Sequence, residues 1–276
     1  MLKSNTTASH NIGIGVCALA LNTTGARNTA VGVYSMRYNT TGCDNVAVGY
    51  QSLKDNSSGK WNTATGGYAL YCNTTACSNT ASGYYAMHQN SIGCANVATG
   101  LQALRYNTCG ANNVAVGTWA LRHNTSGCRN VVVGTSSMYS NTTGIQNVAI
   151  GHLAMVTNTT GSRNTAIGPW ALRYNTIGCR NTASGMYALL KNTCGSLNTA
   201  SGYRSLCGNT TGSRNVALGN VTGDANTTGA CNTFLGYNAD TSCSAHNNQI
   251  VIGYSATGAG TNKTVIGNAA TTNTYI

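Results

Sequence analysis

The chain has 276 residues, only 7% of them charged, with 15 Lys and Arg against 4 Asp and Glu and a formal net charge of +11. Gly, Asn, Thr and Ala dominate and there is one Pro and one Phe, a composition that would point to disorder in a chain without periodicity. The four acids, Asp44, Asp55, Asp224 and Asp240, supply neither the grouped carboxylates of sugar-cleaving solenoids nor the Asp in every turn of a calcium-binding repeat.

Periodicity outweighs composition. A glycine returns every 17 residues, from Gly15, Gly32 and Gly49 through Gly219, Gly236 and Gly253. A unit this short cannot bury a core alone and must stack on copies of itself. The expected fold is therefore all-β: a parallel β-solenoid, or β-roll, of about fifteen rungs. With parallel strands about 4.8 Å apart, such a stack makes a rod roughly 70 Å long.

Met1-Leu-Lys and the apolar run Ile12 to Leu21 could pass for a secretion signal. Asn11, Gly15, Leu19 and Asn22 already stand in register, however, so this segment reads as the first rung. Each rung opens with an Asn four residues before the glycine, from Asn11 and Asn28 to Asn215 and Asn232. A strand follows, with outer positions such as Val46 and Val48, or Val148 and Ile150, sharing one face by alternation. Between them stands Ala30, Ala47, Ala64, Ala81, Ala98, Ala115, Ala149, Ala166, Ala183, Ala200 or Ala217. A column held that small predicts close approach by another backbone.

After the corner glycine a second strand is expected, with Leu or Met four residues on, as in Leu19, Met36, Leu53 and Leu172. This column reads as the core, each side chain contributing roughly 1.5–3 kcal/mol on burial. The rung closes on Asn-Thr-Thr-Gly turns, as at Asn22 to Gly25, whose Asn residues can form amide ladders. Sequons such as Asn5, Asn39, Asn73 and Asn141 read as turn consensus. Beyond Gly253 the spacing shortens to 14. Residues 1–253 thus form the 17-residue-repeat solenoid, and 254–276 a terminal segment continuous with the same rod.

Several residues carry candidate chemistry. Cys43, Cys77, Cys94, Cys128 and Cys179 share one phase; Cys77 and Cys94, on consecutive rungs with Cα atoms about 5 Å apart, are a candidate disulfide. No CxxC spacing points to a metal, no cofactor motif occurs, and His10, His88, His123, His152 and His246 sit at scattered phases, so no catalytic site and no enzyme is expected. Cations beside the turns, such as Arg27, Arg129 and Arg163, could meet anionic glycans, but no aromatic-interleaved nucleic-acid module is present. Trp61, Tyr38, Tyr106 and Tyr174 are candidate glycan contacts. A Thr or Ser after the second Asn, from Thr6, Thr23 and Thr40 to Thr227, makes a hydroxyl ladder whose neighbouring column is broken by Ile92, Cys109, Ile177 and Cys194. No transmembrane helix is expected.

At the C-terminus, Gln249-Ile-Val-Ile-Gly-Tyr-Ser-Ala-Thr-Gly258 and Thr264-Val-Ile-Gly-Asn268 resemble the head repeat of trimeric autotransporter adhesins. The 17-residue unit, typified by Asn164-Thr-Ala-Ile-Gly-Pro-Trp-Ala-Leu172, is similar to that of phage-like tail-fibre proteins that precede an endosialidase-type intramolecular chaperone. The resemblance implies a left-handed β-roll and a homotrimer with the Ala column as inter-chain face. It also implies a C-terminal chaperone cleaved off after trimerisation.

Three functions follow as expectations. The first is an extracellular fibre shaft or adhesin on a virion or cell surface, whose partners are its own copies and a host-surface glycan, with no nucleic acid and no membrane insertion. The second is a filament subunit polymerising end to end, because repeats begin by residue 5 and run almost to Ile276 without a polar cap. The third is an ice-binding solenoid using the hydroxyl ladder.

Overall fold

The computed structural model describes residues 4–271. All regular elements among them are three-residue strands, and they fall into two compact units divided between Thr143 and Gly144. The first unit holds eight strands, from β1 (Ile12–Ile14) to β8 (Val131–Val133), paired parallel in chain order. Register follows the repeat: Thr29 pairs with Val46, Ala30 with Ala47 and Val31 with Val48. The second unit carries β9 (Val148–Ile150) to β16 (Thr264–Ile266) in the same arrangement. Its last pairing, Ile250 with Thr264, spans 14 residues, so the change of spacing near 253 lies inside this unit.

From Thr29–Val31 to Ile250–Ile252 each strand buries its middle residue and leaves its two outer residues exposed or partly exposed, as in Val46–Val48. Ala30, Ala47, Ala64, Ala81, Ala98 and Ala115 in the first unit, and Ala149, Ala166, Ala183, Ala200 and Ala217 in the second, are wholly inaccessible within the single chain. They cannot be the inter-chain face. The column is small because the Leu and Met column, also fully buried, enters the same narrow interior from the opposite wall.

The expected second strand is also corrected. Ser52 and Leu53 are consecutive and both fully buried, which a strand with one face to solvent cannot achieve, and both lie in a turn. The chain turns instead. Tyr34 and Met36 take left-handed φ values of 59° and 46°, and i to i+3 bonds join Ser35 N to Gly32 O (3.3 Å) and Asn39 N to Met36 O (3.2 Å). Left-handed backbone costs about 1–2 kcal/mol per non-Gly residue. Bonds to the next rung offset this, such as Met36 N to Ser52 O (3.0 Å) and Tyr38 N to Lys54 O (2.9 Å).

Two ladders of fully buried asparagines flank the apolar interior. In one, Asn107 Nδ2 donates to Asn90 Oδ1 on the preceding rung (2.6 Å) and to its own turn at Gly110 O (2.9 Å). In the other, Asn62 Nδ2 donates to Asn45 Oδ1 (3.1 Å) and Ala76 O (2.9 Å). Buried amides are tolerable because both amide hydrogens are used. The strand-ending glycines are equally constrained: Gly49 has φ 137°, and a Cβ there would stand 2.6 Å from Gly66 O.

Candidate functional site

Two surfaces stand out in the first unit. One is the strand face, where the outer residues form two straight columns without a charge, from Ile12 and Ile14 through Val46 and Val48 to Val131 and Val133. Hydroxyls gather midway, at Thr63, Thr65, Thr80 and Ser82. Ile14 is 59% exposed and Val131 39%. The second unit presents the same kind of face, with exposed Ile167, Leu218, Leu235 and Ile250 around hydroxyls at Thr182, Ser184, Thr199 and Ser201.

The other surface lies on the turns that follow each glycine. Aromatic and cationic side chains two, five and six residues on stack from rung to rung between Tyr34 and Tyr139. Arg37 lies over Tyr34 (5.0 Å) and Tyr38 (5.1 Å), and Lys54 over Tyr38 (5.5 Å) and Tyr71 (4.7 Å). Tyr71 stacks on His88 (5.1 Å) and Tyr68 on Tyr85 (4.8 Å). Arg105 covers Tyr85 and Tyr106, and Arg122 covers Tyr106 and Tyr139. Tyr106 stacks on His123 (4.9 Å). Burial, and then the charge of Arg105, push the His88 pKa down to about 4; burial with Arg122 and Arg105 lowers that of His123. The Tyr71 hydroxyl, accepting from Lys54 Nζ at 2.6 Å, raises the Lys54 pKa.

The candidate glycan contacts do not form one cluster. Tyr38 and Tyr106 belong to this ladder. Trp61, 61% exposed, stands at the position before the first Asn of its rung, shared with Arg27 and Asp44 and off the ladder. Tyr174 lies in the second unit beneath Arg173 (5.1 Å). The ladder as a whole escaped sequence reading because its members alternate among Tyr, His, Arg and Lys, so no single residue type marks the columns.

All twelve cysteines are free thiols, Cys77 and Cys94 included. The shared phase is real, but the sulfurs do another job. Cys94 Sγ accepts a hydrogen bond from Cys77 N (3.1 Å), while Cys77 Sγ accepts from Lys60 N (3.4 Å) and points its own proton at Thr75 O (3.4 Å). Serine does the same at this position: Ser162 Oγ accepts from Ile145 N (3.0 Å) and donates to Thr160 O (3.1 Å). The column selects a small acceptor for a turn amide.

The hydroxyl ladder is likewise committed to the backbone. Thr23 Oγ1 donates to Thr40 O (3.0 Å) and Thr108 Oγ1 to Thr125 O (3.0 Å). In the second unit a cavity of about 400 Å³ opens among Tyr187, Lys191, Tyr203, Arg204, Cys207 and Asp224, and its lining includes the Arg204–Asp224 ion pair at 2.8 Å. Among the described residues no three His, Cys, Asp or Glu side chains could hold a metal, and no helix is long and apolar enough to cross a membrane.

No known family model matches this chain, and no curated protein sequence matches it.

Proposed function

We propose that this chain is the shaft of an extracellular attachment fibre, of the tail-fibre or adhesin kind that its repeats resemble, and that copies of it associate through the strand face. The observation that carries this reading is the pair of exposed, uncharged columns beside each buried Ala column. Covering apolar area is favourable by about 25 cal/mol per Å². Identical copies related by a rotation about the stacking direction would cover it rung against rung, as closed symmetry requires. Three copies around one axis satisfy the columns of each copy at once. The turns, including the cation–aromatic ladder, would then remain outside for contact with a host-surface glycan, and the repetition would add many weak contacts into avidity.

Val131→Asp combined with Val133→Asp tests this reading. Both side chains point away from the core, so the chain should keep its circular dichroism while the assembly dissociates in sedimentation. An unchanged sedimentation coefficient would refute the strand-face contact.

A second reading has one observation in its favour. Thr63-Ala-Thr65 and Thr80-Ala-Ser82, and in the second unit Thr182-Ala-Ser184 and Thr199-Ala-Ser201, set paired outward hydroxyls on consecutive strands. A regular array of this kind suits ice. Thermal hysteresis in the purified protein would establish it, and its absence would remove it. End-to-end polymerisation predicts open filaments instead.

A further inference from the structure

We infer that the cation–aromatic ladder of the first unit binds a linear acidic polysaccharide along its length. The inference deepens the attachment reading and rests on it. Four cations line the ladder: Arg37, Lys54, Arg105 and Arg122. The two ion pairs among the described residues, Arg27–Asp44 and Arg204–Asp224, lie elsewhere. Asp55, six residues after Gly49, is the one carboxylate in the ladder columns, and the four cations outnumber it.

Ring stacking fixes these cations and satisfies them only in part: Lys54 Nζ donates to the Tyr71 hydroxyl and Arg122 Nη1 to that of Tyr139. The Nε atoms of Arg105 and Arg122 are buried with no hydrogen-bond partner, as is Nδ1 of His88. A guanidinium clamped between Tyr85 and Tyr106 has already lost the rotamer freedom that a free arginine would lose on binding an anion. These cations, none of them in an ion pair, are thus preorganised.

Spacing adds a pattern. Arg37 and Lys54 sit on consecutive rungs, as do Arg105 and Arg122, so each pair is about 4.8 Å apart along the stack, and the pairs are separated by three rungs, about 14 Å. Between them lies a neutral aromatic stretch: Tyr68, Tyr71, Tyr84, Tyr85 and a His88 that is uncharged at neutral pH. Half-exposed Tyr50 and Tyr84 border this stretch and offer apolar surface and hydroxyls to sugar rings.

The ring geometry favours a glycan over a nucleic acid. Single-stranded nucleic acids need open aromatic faces on which bases can stack. Here those faces are taken by one another: Tyr71 on His88 at 8°, Tyr68 on Tyr85 at 9° and Tyr106 on His123 at 20°. What remains outward is cationic and hydroxylic, which suits carboxylate or sulfate groups on a polysaccharide.

The test is a binding titration of the full chain against heparin, hyaluronate and a single-stranded oligothymidylate, at low and moderate salt. Arg105→Gln with Arg122→Gln is compared with Lys60→Gln with Arg129→Gln, which removes the same charge from exposed positions off the ladder. Expected is binding to at least one acidic glycan, weakened about tenfold or more by the ladder pair and about twofold or less by the control pair. Equal losses in both pairs would reduce the effect to net charge and overturn the inference. So would tighter binding to the oligonucleotide, or no glycan binding at all. Chain mass measured on the same samples separates the two readings: an assembled particle that ignores glycans defeats the ladder alone, whereas a glycan-binding single chain defeats the shaft alone.

Discussion

Phe234 occupies the space that Gly223 leaves. A Cβ on Gly223 would lie 2.8 Å from Phe234 Cδ2 and 3.0 Å from Leu206 Cδ2. Phe234, wholly buried, pairs with Ala217 and so stands in the Ala column, while Gly223 stands one rung beyond Leu206 in the Leu and Met column. Two consecutive rungs have exchanged large for small where the turn of one packs against the strand of the next. The two columns therefore share a single volume.

That exchange predicts strong coupling. Phe234→Ala should cost about 3–5 kcal/mol by opening a cavity. Gly223→Leu alone should overpack the same space. The double variant restores the pattern of neighbouring rungs and should recover most of the stability; additive losses in chemical denaturation would show that the columns do not share space.

Much of this was legible from residue type. The 17-residue glycine spacing, the Leu and Met core and the Asn ladders were expected, because each recurs as one residue type in register. The direction of the Ala column was not, since a small residue beside a backbone looks the same whether the neighbour is its own chain or another. The left-handed turn at Met36 was hidden too, because Leu and Met favour no such backbone and only the consecutive burial of Ser35 and Met36 betrays it. The ladder from Tyr34 to Tyr139 depends on which mixed side chains touch, and that is a property of packing.

The asparagine ladder should be costly to interrupt. Asn107→Ala removes the acceptor of Asn124 Nδ2 (2.7 Å) and the donor to Gly110 O. Buried groups left unpaired cost about 1–3 kcal/mol each, so a loss of about 2–4 kcal/mol in urea denaturation is expected. A change under about 0.5 kcal/mol would show that the ladder is dispensable.

Two glycines one residue apart in the repeat should respond differently. Gly49→Ala forces a Cβ against the Gly66 carbonyl at φ 137° and should destabilise by about 1–3 kcal/mol or more. Gly67→Ala presses on the Tyr84 ring, at 3.2 Å, which can swing aside, and meets Tyr50 O at an ordinary 4.0 Å, so it should stay within about 1 kcal/mol of the parent. Differential scanning calorimetry of the two variants decides the matter.

His88 sets a pH dependence. Its folded pKa of about 4 lies below the unfolded value near 6.5. Between these values the unfolded chain binds the proton and the folded chain does not, so stability falls as pH drops from about 6.5 to 4 and is fully present above. Asp55 and Asp240, whose pKa values burial raises, act with the opposite sign near the acid end. Comparison with His88→Gln cancels them, and the variant should show a flatter decline; identical curves would contradict the assignment.

Thiol titration should find twelve reactive sulfurs per unfolded, unreduced chain. In the folded protein Cys207 should alkylate last, because burial and then the nearby Asp224 carboxylate raise its pKa. Recovery of fewer than twelve thiols would reveal a bridge.

Chain number per particle tests the central claim most directly. Negative-stain electron microscopy with mass measurement on the same purified sample should give discrete particles of uniform length containing three chains. Single chains that persist at micromolar concentration, with the strand face bare, would contradict it.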